Sequence, residues 1–292
     1  MITKIAVIES DRLKNHENEI KIAAEIIKAG GLVAFPTETV YGLGGDGTNP
    51  DAAKKIYSAK GRPSDNPLII HIAEPLDAEK YTYTCDTYYK LAARFMPGPL
   101  TVVMKARDNI PKDTRGGLDT VAVRCPSNPI ARRLIELAGV PIAAPSANLS
   151  GSPSPTDASH VIKDMQGRID MIIDGGRCDI GLESTIVKIE DDGSMILLRP
   201  GKVTVDELAC IAPISLADAV TDRLAEGQVA LSPGMKYRHY APVSPVVLLD
   251  GELCEVVRYI RQENLSKTAI LCYTDDKESI AKELPDTDIF VL

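Results

Sequence analysis

Long apolar runs are the first thing this sequence lacks. None approaches the ~20 residues that a bilayer-spanning helix requires, so no membrane segment is expected. The opening stretch MITKIAVIESDRLKNHENEI has neither the apolar core nor the small-residue cleavage site of a secretory signal. Cysteines are scattered: Cys85, Cys125, Cys178, Cys210, Cys254 and Cys272 form no CxxC pair. That spacing speaks against a zinc site or a disulfide framework and for reduced thiols in a cytoplasmic protein. Positive charge is in deficit too, with 33 Lys and Arg against 41 Asp and Glu and a net charge of −8. A chain so balanced is not built to coat nucleic acid, although a local basic patch is compatible with it.

Familiar chemical signatures are also absent. There is no GxxxxGK[ST], and GLGGDG (42–47) follows TVY and leads into an expected loop, which is not the setting of a dinucleotide fingerprint. No HExxH motif or His/Asp cluster suggests a dedicated metal cage, so no metal ligands are assigned. No Ser-His-Asp or Cys-His order stands out. Of the histidines, His16 and His160 read as surface or helix residues, His71 lies in an apolar strand, and His239 lies in a donor-rich connecting motif.

What is present is a chain of 292 residues, 44% hydrophobic and 25% charged, enough for one large domain and a smaller one. From about residue 18 to 210, helix and strand signals alternate. Ile20, Ala23, Ala24 and Ile27 share a helical face that Gly30-Gly31 ends before the strand 32–35. Asn49-Pro50 can cap a second helix that Gly61 closes. Strands follow at 67–72, 100–105, 120–124, 141–144 and 171–173, with a helix near 86–95 and another, capped by Ser127, that Gly139 ends. The segment 184–200 reads as a hairpin with Asp-Gly turn chemistry. The mixture predicts an α/β fold with a mixed, twisted sheet. Residues 211–245 carry little periodicity and read as a linker containing SPGMKYRHYAP (232–242). Residues 246–292 read as a small parallel β-α-β unit, and its end in mid-strand makes a longer natural product the expectation.

Four donor-rich spots stand at expected strand ends: PTETVYGLG (36–44), KGR (60–62), PSANLSG (145–151) and GLESTIV (181–187), with Arg199 closing the hairpin. Ligands of open sheets sit outside strand ends, so four such spots point to an anion and a small polar ligand held in a cleft. Taken alone, each spot reads as well or better as a simple turn.

The order and spacing of PTETVYGLG, KGRPSDNPLIIHI, PGPLTVV, TVAVRCP, APSANLSGSPSPT, ESTIV and LRPG resemble the YrdC-like family, densely over residues 17–210. SPGMKYRHYAP followed by a β-α-β unit is similar to its long, two-domain form, the threonylcarbamoyl-adenylate synthases. The resemblance implies a YrdC-like catalytic domain at 1–210, the linker at 211–245, and a small Rossmann-like carboxy-terminal domain at 246–292 that is abbreviated relative to the family. It also implies a reaction of L-threonine, bicarbonate and ATP, the last carrying Mg²⁺, that yields threonylcarbamoyl-AMP and pyrophosphate. The product would supply a downstream transferase that modifies tRNA beside the anticodon. The family's catalytic signature falls on Lys60, Arg62, Ser146 and Asn148. ATP contacts fall on Arg62, Asn66, Thr120, Ser146, Ser154, Arg199 and the linker's Arg238 or Tyr240. Threonine contacts fall on Thr39, His71, Arg124, Ala144 and Ser184. The linker motif is expected to fold over the nucleotide. Short members of the family suggest the alternative, a non-catalytic module for double-stranded RNA or tRNA, with Arg94, Lys105, Arg107, Arg115, Arg132 and Arg133 as its basic face.

Overall fold

The computed structural model describes residues 2–64, 66–221, 245–263 and 268–291. The chain divides into two compact units, residues 1–241 and 242–292. In the first, the strands are β1 (Lys4–Val7), β2 (Val33–Phe35), β3 (Gly42–Asp46), β4 (Ile69–His71), β5 (Leu100–Lys105), β6 (Thr120–Arg124), β7 (Ile142–Ala143), β8 (Met171–Asp174), β9 (Thr185–Ile189), β10 (Met195–Arg199) and β11 (Ile214–Leu216). The helices between them are α1 (Glu17–Lys28), α2 (Pro50–Lys60), α3 (Asp86–Phe95), α4 (Pro129–Ala138), α5 (Ala158–Met165), α6 (Val205–Ala209) and α7 (Asp218–Thr221).

Local chemistry explains most of these bounds. The Asn49 side chain accepts the Asp51 N–H, Pro50 takes the first helical position, and Gly61 ends α2 at φ 61°. α4 begins one residue later than expected. Asn128, not Ser127, is its cap, taking the N–H groups of Ile130 and Ala131, with Pro129 following. The hairpin β9–β10 turns at Gly193 and is antiparallel as the Asp-Gly pair predicts. The expected linker at 211–245 starts inside the sheet, because β11 pairs with β10 in parallel.

All eleven strands form one mixed sheet in the order β1-β8-β2-β3-β7-β4-β6-β5-β9-β10-β11. Alternate residues feed two cores, so that Leu32 and Ala34 pack on one side while Val33 and Phe35 pack on the other. The second side is covered by Ile20, Ile27, Ile130 and Leu134 of α1 and α4. No strand is expected over GLGGDG, since glycines weaken strand propensity, yet β3 forms there. Its glycines admit close neighbours: a Cβ on Gly44 would lie 2.7 Å from both Ile142 Cγ2 and Phe35 Cε1.

The second unit contains α8 (Leu253–Gln262), β12 (Ala269–Cys272), α9 (Lys277–Glu283) and β13 (Asp288–Val291). The two strands pair in parallel around α9, and Val257, Cys272, Ile280 and Leu284 form a small core. Residues 245–250, expected to open this unit as a strand, have no strand pairing.

Gly44→Ala is therefore expected to destabilise the first unit by about 1–3 kcal/mol through overpacking. Urea unfolding would show this as a lower midpoint at constant slope, and an unchanged midpoint would mean that β3 and its neighbours have slack.

Candidate functional site

A cleft opens where the central strands end. Parallel pairing of β4 with β6 sets His71 beside Arg124, and antiparallel pairing with β7 sets His71 beside Ile142. β5 brings Thr101 opposite Arg124. The chain leaving β7 supplies Ala144, Pro145 and Ser146, and the residue before β9 supplies Ser184. Of the expected site residues, Arg62, His71, Arg124, Ala144, Ser146, Ser184 and Arg199 line this one cleft, joined by Thr37, Val40, Tyr41, Ile69 and Glu183.

The other expected residues are placed differently. Lys60 is buried behind the cleft wall, where its Nζ donates to the Ser146 carbonyl at 2.5 Å and the Asn148 carbonyl at 2.7 Å, with Asn148 Oδ1 at 3.4 Å. Asn148 Oδ1 also accepts from Ser146 Oγ at 2.6 Å, while its amide donates to the Leu149 and Ser152 carbonyls. Lys60 and Asn148 thus hold the turn that presents Ser146, and neither lines the cleft. Burial, aided by the Arg62 charge, pushes the Lys60 ammonium down to about 7. The three oxygens around Nζ oppose that loss by solvating the charged form.

Thr39 is fully buried with its hydroxyl 2.9 Å from that of Thr37, and Thr37 is the one on the cleft wall. Asn66 is fully buried as well, and neither end of its side-chain amide has a hydrogen-bond partner. Arg62 donates to the Asn66 and Pro67 carbonyls at 3.2 and 3.3 Å. Thr120 begins β6, at the end of the strand away from Arg124. Ser154 reaches the wall indirectly, donating to Glu183 Oε1 at 2.8 Å. Arg238 and Tyr240 lie outside the described residues.

Two carboxylates were not foreseen. Glu38 pairs with Arg124 at 2.7 Å, both side chains being 5% exposed. Glu183 pairs with Arg199, whose guanidinium also donates to the Ser184 carbonyl and hydroxyl at 3.0 and 3.1 Å. Each is the single acid in a segment of hydroxyl, glycine and apolar residues, a pattern that signals a buried, paired carboxylate. Three members of the basic face of the RNA-binding alternative are engaged within the protein. Arg132 pairs with Glu74, Arg133 pairs with Glu17 and Glu136, and Arg107 donates to the Glu79 and Thr82 carbonyls.

His71 is buried against the edge of Phe35, with Nδ1 3.3 Å from the Ile142 carbonyl. That carbonyl can only accept, so in the neutral ring Nδ1 carries the proton. Burial first, then the Arg124 charge, pushes the imidazole down to about 3. The folded protein therefore keeps His71 neutral where the unfolded chain, titrating near 6.5, is protonated. Its contribution to stability is complete above pH 6.5 and falls as pH drops toward 3, by up to about 1.4 kcal/mol per pH unit. His71→Gln should flatten the fall in urea midpoint between pH 7 and 5; an unchanged slope would place the imidazole in a charged state.

Residues 25–201 match the Sua5/YciO/YrdC family model, described as telomere recombination, and residues 203–288 match the carboxy-terminal domain of threonylcarbamoyl-AMP synthase. Threonylcarbamoyl-AMP synthase of Bacillus subtilis is 47% identical over 87% of this chain and 73% of its own length. That of Pyrococcus abyssi is 47% identical over 88% of this chain and 76% of its own. The crystal structure of P. abyssi Sua5 complexed with L-threonine superposes at a TM-score of 0.85 with 42% identity, covering 100% of this chain and 84% of that one. E. coli YciO shares the fold at a TM-score of 0.64 and 24% identity over 71% of this chain and 100% of its own. The chain belongs to the Sua5/YciO/YrdC family, in the form that also carries the threonylcarbamoyl-AMP synthase carboxy-terminal domain.

Proposed function

We propose that this protein is an L-threonylcarbamoyladenylate synthase, a nucleotidyltransferase that converts L-threonine, bicarbonate and ATP to threonylcarbamoyl-AMP and pyrophosphate. The observation that carries the reading is a single cleft lined by Arg62, Arg124 and Arg199 together with a neutral histidine, on a chain 47% identical to such synthases.

In this reading threonine's carboxylate meets Arg124, and its amine faces Nε2 of His71. The Arg124 charge lowers the amine's proton affinity; the ammonium gives its proton to solvent, the free amine attacks bicarbonate carbon, water leaves and a carbamate results. The methyl group finds Val40, Ile69 and Ala144 on the wall. A carbamate oxygen then attacks the α-phosphorus, and the bond to pyrophosphate breaks. Such a transfer needs alignment and charge neutralisation more than a protein nucleophile. Arg62 and Arg199 supply the charge, and Ser146 donates from the turn that Lys60 and Asn148 hold. Asn66, buried behind the cleft, joins the proposed nucleotide side through the carbonyl that anchors Arg62. Thr120, Ser154 and the linker's Arg238 or Tyr240 complete the proposed ATP side.

Mg²⁺ is proposed to arrive on the phosphates, where it would offset their charge. Among the described residues the one carboxylate on the wall, Glu183, is engaged by Arg199 and Ser154, which suits a metal carried by the nucleotide. The adenylate hydrolyses in water, so we place a tRNA threonylcarbamoyl transferase downstream in the cytoplasm.

Pyrophosphate release should require threonine, bicarbonate and ATP together, and Arg62→Ala should lower it by at least about tenfold, roughly 1.4 kcal/mol. Serine, lacking the methyl, should be poorer by about 10–200-fold in kcat/KM. Salt-dependent RNA affinity without turnover would support the RNA-binding alternative instead. Equal use of serine and threonine would show that the apolar wall does not meet the methyl.

A further inference from the structure

Glu38 stands behind the cleft and touches it only through Arg124. One of its oxygens, Oε1, accepts from Arg124 Nη2 at 2.7 Å, and the other, Oε2, accepts from the backbone N–H of Ser127 at 3.1 Å. The same Nη2 donates to Thr37 Oγ1 at 3.3 Å. The Glu38 carbonyl is itself tied down by the Ile180 N–H at 2.8 Å. The Arg124 side chain is therefore gripped at Nη2. Its Nε is buried and has no hydrogen-bond partner.

With that Nε closed off and Nη2 engaged, Arg124 meets the cleft it lines through the remainder of its guanidinium. We infer that Glu38 is a positioning residue for the amino-acid substrate: it fixes the Arg124 guanidinium at Nη2 so that the part left on the cleft wall is presented to the substrate's carboxylate. The inference rests on the reading of the cleft as a threonine site and adds to it the group that sets the arginine's orientation. Before substrate arrives, the same carboxylate neutralises a cation that could not otherwise be buried.

The chemistry of the two partners makes this testable. Arg124 Nη2 and the Ser127 N–H are both donors, so Glu38 must accept on both oxygens. Glutamine has the right size but presents one donor, and whichever way its amide is turned it sets an N–H against an N–H. Aspartate is one methylene short yet accepts on both oxygens. A role that depended on volume would make Glu38→Gln the milder change; a role in holding two donors makes Glu38→Asp the milder one.

Threonine and ATP KM values would be measured by pyrophosphate release at saturating bicarbonate, with urea unfolding of each protein alongside. Glu38→Gln is expected to raise the threonine KM at least about tenfold while the ATP KM stays within about threefold, and Glu38→Asp to raise the threonine KM less. A threonine KM within about threefold of the parent overturns the inference. So does a parallel rise of both KM values, or a milder effect of glutamine than of aspartate. If Glu38→Gln does not fold, Glu38→Asp is read alone: a rise confined to threonine supports the inference, and a parallel rise or none overturns it. The unsubstituted protein separates this from the underlying reading, since no threonine-dependent pyrophosphate release there would refute the function itself.

Discussion

Arg124 and Glu38 are each about 5% exposed and lie 2.7 Å apart at the base of the cleft. Charges that deep are tolerated only as a pair, and such a pair adds little net stability once desolvation is counted. What it contributes is geometry. Through the two oxygens of Glu38, the loop after β2 is fastened to the end of β6 and to the backbone entering α4. His71 lies next to Arg124 in register, and the neighbouring cation reinforces the burial that keeps the imidazole neutral. The character of the amino-acid end of the cleft follows from this one contact: a cation already compensated, with a neutral imidazole beside it.

The rest of the wall repeats the device with other partners. Lys60 spends its ammonium on oxygens of the Ser146–Asn148 turn, so KGR and PSAN, 86 residues apart at Lys60 and Ser146, act as one structural part. Arg199 is held by Glu183 and the Ser184 carbonyl, and Arg62 by the carbonyls of Asn66 and Pro67. Cations fixed by the protein before a ligand arrives lose little side-chain freedom on binding. That is the form of preorganisation a phosphoryl transfer without a protein nucleophile depends on.

What the sequence determined by itself was everything governed by local physics. The cap at Asn49, the left-handed stop at Gly61 and the Asp-Gly hairpin are written in residues a few positions apart, and they formed where expected. The order of the donor-rich motifs also sufficed to identify the family and seven of the cleft-lining side chains. Tertiary structure decided the rest. β3 is a strand because Phe35 and Ile142 crowd its glycines, a fact that local propensity opposes. Thr37 rather than Thr39 reaches the wall, and Lys60 turns inward while Arg62 turns to the cleft, because strand pairing and the packing of α2 set which way each faces. Glu38 shows the limit most plainly: its partner lies 86 residues away, and a buried carboxylate has a meaning only when the donor it faces is known.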